Sequence, residues 1–203
     1  MTLSDQDAEK VEAAFKAAQA KTRAPIECVL VEASGAYEAP ALVAALLLAL
    51  IAPWPLILFT SLSPERIFVV QLVVALTLAL LLSLRGVRAL LTPSALKRAN
   101  AHRAALTQFL ARGLDRGPER NGVLVFVSLE ERYARIVADE GCASAIAETA
   151  WQGVVEALVV DFRAGRLPDA LVSAADRCAS LLAAPFPPAL DAPARPHRHF
   201  HFA

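Results

Sequence analysis

Two long stretches without a single charged residue constrain this chain more than anything else in it. They run from Ala41 to Phe59 (ALVAALLLALIAPWPLILF) and from Ile67 to Leu84 (IFVVQLVVALTLALLLSL). With neutral flanking positions each is about 18 to 21 residues, which at 1.5 Å per residue is roughly the 30 Å of a hydrocarbon core. A helix inside a soluble protein is rarely apolar around its whole circumference. Leu, Ile, Val and Phe each contribute about −0.3 to −0.6 kcal/mol near a bilayer centre, so runs this rich in them favour insertion by several kcal/mol. Gln71 opposes this weakly, and Thr77 can bond its own helix backbone. The expectation is a two-helix transmembrane hairpin over residues 39–84.

Pro53-Trp54-Pro55 interrupts the first run. Two prolines so close kink or end a helix and leave only about a dozen apolar residues before them. A kinked span and a re-entrant segment both remain open. The kinked span is preferred because Leu56 to Phe59 continue the run and Trp54 suits an interface position. Arg85, Arg88, Lys97, Arg98 and Arg103 crowd the side after the second run, whereas the connector at 61–66 carries only Arg66 as a basic residue. Excess basic charge stays on the cytoplasmic side, so the connector is expected outside and both termini in the cytoplasm, as in a multi-pass inner-membrane protein.

Composition fits an anchor joined to one medium domain. The chain has 203 residues, 56% of them hydrophobic, with 20 Lys+Arg against 20 Asp+Glu. Soluble domains sit near about 45–50% apolar, and the two runs hold the excess. The balanced charge speaks against nucleic acid as a partner, because phosphate binding needs a basic surplus. The expected partners are membrane lipid and another membrane protein. Cys28, Cys142 and Cys178 form neither a CxxC nor a paired framework and read as reduced, small core residues. The opening residues Met1 to Asp7 are polar and acidic, which does not read as a cleaved export signal.

Residues 4–20 read as an amphipathic helix capped by Ser4, with Val11, Ala14, Phe15 and Ala18 at helical spacing. Ile26 to Glu32 read as a half-buried strand with Ile26, Cys28 and Leu30 on one face. After the hairpin, residues 93–110 read as a helix with Ala95, Leu96, Ala99, Ala105, Leu106, Phe109 and Leu110 available to face inward. Gly122 to Ser128 read as a buried strand, paired through the turn 129–132 with Tyr133 to Ala138. Helices follow over 147–163 and 168–183, with Trp151 and Phe162 as core anchors. The Pro- and His-rich residues 188–203 have no apolar period and are expected to be disordered. This order of elements predicts an α/β fold, one small α/β/α domain made of residues 4–34 and 94–187 and split by the hairpin.

Several of these stretches resemble the TPM domain family. They are residues 21–31, then Asn121 to Ser128 continuing through Arg132 to Gly141, and the segment from Phe162, Arg163 and Gly165 through Leu171. The likeness is greatest to short bacterial members in which a membrane hairpin interrupts the domain after its first strand. It implies an α/β/α domain at a membrane and, in some relatives, acid phosphatase activity or a role in assembling or repairing membrane complexes. Relatives tend to carry an acid just before the Asn-Gly and an Asp after the later Gly, where this chain has Arg120 and Arg166. Arginine at both places removes ligands and repels a cation.

Glu130, Glu131, Asp139 and Glu140 flank the strand hairpin and are candidates for a small acidic rim, although turn charges that merely face water explain them as well. His197, His199 and His201 alternate and are weak candidates for a shared metal, with no Cys or carboxylate nearby in sequence to complete the site. No nucleophile stands at a recognisable spacing from a base, and no phosphate loop or dinucleotide fingerprint occurs. The expectation is a protein without cofactor, a non-catalytic interaction or assembly module. The alternative is a weak, metal-assisted acid phosphatase.

Overall fold

The computed structural model describes residues 3–35, 38–83, 93–188 and 199–202. The chain divides into two compact units, one made of Met1–Ser34 and Arg98–Ala203 and the other of Gly35–Lys97.

In the first unit, helix α1 (Asp5–Gln19) starts where the Ser4 side chain accepts the Asp7 N–H. Strand β1 (Ile26–Val31) follows. Later in the chain come α5 (Ser94–Ala111), β2 (Val123–Ser128), β3 (Tyr133–Ala138), the short α6 (Glu140–Ala145), α7 (Glu148–Arg163), α8 (Leu167–Ala183) and β4 (Phe200–Phe202). The sheet order is β3-β2-β1-β4. β1 runs parallel to β2 from Ile26↔Val123 to Val31↔Ser128, and β3 returns antiparallel to β2.

The sheet is covered on both faces. Ile26, Cys28, Leu30, Val123, Val125 and Val127 pack with Val11 and Phe15 of α1, Trp151, Leu158 and Phe162 of α7, and Leu171 and Leu182 of α8. Val29, Val31, Leu124 and Phe126 pack on the other face with Ala101, Ala105 and Phe109 of α5. β1 is therefore buried on both faces rather than half-buried, as a central strand flanked by parallel partners must be. The inward face of α5 differs from expectation too. Ala95, Ala99, Leu106 and Leu110 are exposed, while Ala101, Ala105 and Phe109 face the sheet.

The tail carries the largest correction. Phe200–Phe202 is not disordered but forms β4, parallel to β1 with Cys28↔Phe200 and Leu30↔Phe202 in register. Residues 189–198, including His197, lie outside the described residues.

In the second unit, α2 (Glu38–Ile51) and α3 (Pro53–Phe59) split the first apolar run at Ala52, and α4 (Pro64–Ser83) holds most of the second. Pro53 lacks the N–H that would continue α2 but suits the first position of α3. α2 packs on α4, and among its described residues Ala45 and Ala49, one turn apart, are buried. The Thr77 hydroxyl donates to the Val73 carbonyl at 2.7 Å. One helix among the described residues, over Pro64–Leu82, is long and apolar enough to cross a membrane, and Ala45–Phe59 is a shorter apolar stretch. Arg85 and Arg88 lie outside the described residues.

Candidate functional site

The acids singled out from the sequence fall at the two ends of β3. At its far end, Asp139 is buried, caps α6 and accepts the Glu140 N–H at 2.9 Å. Arg120 grips the same carboxylate with both ends of its guanidinium, Nε to Oδ2 at 2.9 Å and Nη2 to Oδ1 at 3.0 Å. Hydrogen bonding to Asp139 raises the Arg120 pKa above its ordinary value. Around it the backbone is knotted. The Gly141 N–H donates to the Arg120 carbonyl at 2.8 Å, and the Cys142 thiol to the Asn121 carbonyl at 3.1 Å. The Asn121 amide donates to Glu119, which also receives Arg23 at 2.8 Å. A Cβ on Gly122 would sit 2.2 Å from the Leu114 carbonyl oxygen, and one on Gly141 2.2 Å from that of Glu119, so only glycine allows these approaches.

At the hairpin end, Glu131 accepts the Ser34 N–H at 2.8 Å on one oxygen and the hydroxyl of the fully buried Ser128 on the other. The Leu129 N–H donates to Val31 and the Glu130 N–H to Glu32, which prolongs the β1–β2 ladder. Arg132 closes the turn with φ 49°. In open α/β sheets the carboxyl ends of parallel strands are where ligands bind, and here that end presents Glu32, Glu130 and Glu131. β3 separates the two pairs of acids by about 20 Å along the strand, so Glu131 and Asp139 cannot share one ligand.

Phe162, Arg163 and Gly165 have a different task. The Gly165 N–H donates to Phe162 and the Arg166 N–H to Asp161, both at 3.0 Å, and Gly165 has φ 79°, the pattern of a Schellman C-cap on α7. Phe162 is buried in the core and Arg163 is exposed, while the Arg166 side chain pairs with Asp161. The motif is a helix stop.

His199 and His201 sit beside β1 and not in a metal cluster. The His199 ring nitrogen lies 3.3 Å from the Ile26 carbonyl, and His201 Nε2 lies 3.8 Å from the Glu27 carboxylate, which Arg112 holds at 3.2 Å. Sequence reading missed this Arg112–Glu27–His201 group. Its signal was Glu27, one charge inside an otherwise apolar strand. All three cysteines are buried. Burial pushes the Cys142 and Cys178 thiols up to about 12, and Cys28 higher still, which keeps them protonated and inert.

Residues 86–181 match the family model described as TPM domain. Over that stretch the chain resembles a TPM domain. Among curated proteins none matches the chain. Among solved structures, it is similar to the NMR structure of BA42 protein from the psychrophilic bacterium Bizionia argentinensis, at 14% identity and a TM-score of 0.61. That match covers 100% of this chain and 97% of the other, and it shows a shared fold. The stretch matched to the TPM domain begins after β1 and ends before β4, so two strands of the sheet come from outside it.

Asp139 and Glu131 do not fit a divalent cation. Both Asp139 oxygens are engaged by a guanidinium that would itself repel the ion, and both Glu131 oxygens already accept hydrogen bonds. Among the described residues no three His, Cys, Asp or Glu side chains converge on a point that could hold a metal.

Proposed function

We propose that this protein is an integral membrane protein whose TPM domain acts at the cytoplasmic face as a non-catalytic interaction or assembly module for another membrane component. The observation that carries the reading is the surface of the second unit. Among the described residues, the exposed large apolar side chains lie almost all within 43–81, including Leu46, Leu50, Ile57, Leu58, Phe59, Phe68, Leu76 and Leu80. An apolar surface of that extent needs lipid or protein against it. Two crossings, by α2–α3 and by α4, would return the chain to the side it left, which suits a sheet whose adjacent strands β1 and β2 lie on either side of the insertion. The Arg120–Asp139 pair supports a module without catalysis, since it fills the place where an acid would have to be free.

The topology is tested by single cysteines at Ser63 and Ser94 in intact cells with a permeable outer envelope. An impermeant maleimide is expected to label the Ser63→Cys protein alone. Labelling at Ser94→Cys alone reverses the orientation, and equal labelling removes the crossing. A generic phosphomonoester assay on detergent-purified protein tests the module reading. Turnover that survives repurification and is lost in both Asp139→Asn and Glu140→Gln would replace it with the phosphatase.

A further inference from the structure

β1 is paired along its whole length with β2 on one side, and on the other with the three residues of β4. That second edge is equipped beyond what a bare strand edge offers. The Cys28 N–H donates to the His199 carbonyl at 2.7 Å. Glu12 of α1 reaches over and accepts the backbone N–H of His199 at 3.0 Å and that of Phe200 at 2.6 Å. Phe200 is 7% exposed and packs in the main core cluster, whereas Phe202, two residues on, is 50% exposed. Between them His201 faces Glu27. A row of main-chain partners, a carboxylate aimed at two strand amides, a seat for one aromatic ring and a polar partner beside it are the parts of a strand-addition site.

We propose that the β1 edge and α1 together form a peptide-acceptor groove for an extended aromatic-polar-aromatic segment, occupied here by the chain's own Phe200-His201-Phe202 as an exchangeable plug. Exchange is favoured by how little holds the plug. Only three residues pair with β1, and the sequence before them carries Pro185, Pro187, Pro188, Pro193 and Pro196, which cannot donate to a ladder. Vacating the groove leaves the β1 edge open to another strand. The inference stands whether or not the second unit crosses a membrane.

The test uses the full chain in detergent, with Phe200→Asp and Phe202→Asp combined to dislodge the plug, and a fluorescent peptide of residues 197–203 as probe. The dislodged protein is expected to bind the peptide about tenfold or more tightly than the intact chain does. Adding Glu12→Gln should weaken that binding severalfold, and a peptide carrying Asp at both Phe positions should not bind. Equal binding to intact and dislodged protein, or no binding to a dislodged protein that keeps its near-ultraviolet signature, overturns the groove. Should the variant not fold, hydrogen exchange on the intact chain decides. The Cys28 amide is expected to exchange about 100-fold faster than the amides joining β1 to β2, and equal protection makes β4 an integral strand and overturns the proposal.

Discussion

Strand β2 and helix α4 are both written almost wholly in apolar residues, yet β2 is buried from end to end while α4 turns Phe68, Leu72, Leu76 and Leu80 outward. The difference lies in how much cover each requires. β2 has a strand on either side and helices on both faces, and its six residues span about 20 Å, which one layer of helix can cover. From Ile67 onward α4 carries no charge anywhere on its circumference, and a helix like that can only be satisfied by surroundings that are themselves apolar. The same composition thus means a protein core in one place and, on the reading proposed here, a lipid-facing surface in the other.

A charge placed in each run separates the two most sharply. Val125→Asp buries an unpaired carboxylate under the α1, α7 and α8 layer and is expected to cost the first unit about 3 kcal/mol or more, enough to lose most of its cooperative urea transition. Leu76→Lys, at a site 64% exposed, is expected to leave that transition in place and to disfavour membrane insertion by about 2.5–3.5 kcal/mol, read as a shift from the membrane fraction. If Leu76→Lys instead lowers the urea midpoint and leaves the membrane fraction unchanged, α4 is covered by protein and the contrast fails.

Within the self-covered unit the effects should fall with burial. Asp139→Ala removes the α6 cap and the partner of Arg120, at about 1–3 kcal/mol in a denaturant titration. Arg132→Gly relieves a left-handed residue in an exposed turn and is expected to stabilise by about 1 kcal/mol, seen as a higher melting temperature. The smallest effect is that of the exposed Lys10–Asp169 pair linking α1 to α8. Its hydrogen bond holds the Asp169 pKa below its ordinary 3.8 and the Lys10 pKa above its ordinary 10.5. The carboxylate's contribution is therefore present above 3.8 and is lost as pH falls through the lowered folded value. The ammonium's is present below 10.5 and is lost as pH rises through the raised one. Asp169→Asn should lower the melting temperature slightly and evenly across about pH 5–9, less in strong acid and less in high salt.

The elements that could be read from the sequence were those whose pattern is local. The Ser4 cap, the Thr77 back-bond, the break at Pro53 and the β2–β3 hairpin each depend on residues a few positions apart. What escaped depends on distant partners. β4 is a strand because Glu12 and Cys28 hold it, and Glu12 is 187 residues away from His199, so nothing within the Pro- and His-rich segment announces it. α5 is apolar at too many positions for its period to select a face, and packing chose Ala101 and Ala105 over Leu106 and Leu110. Asp139 was legible as a charge at the end of a strand. Its capture by Arg120 depends on a partner 19 residues earlier, which the antiparallel β2–β3 pairing brings beside it.

The neighbours of β1 also impose a timetable. Ile26 pairs with Val123, and β4 begins at Phe200, so both strands that flank β1 are made after it. At about 5–20 residues per second of synthesis, β1 waits roughly 5–20 s for its first partner, with the whole apolar insertion emerging in between. During that interval Ile26-Glu27-Cys28-Val29-Leu30-Val31 is a naked, β-branched, mostly uncharged segment held near a nascent chain that is itself sticky. The cell meets this protein first as a delay, and whatever shields β1 during those seconds sets the yield of the finished sheet.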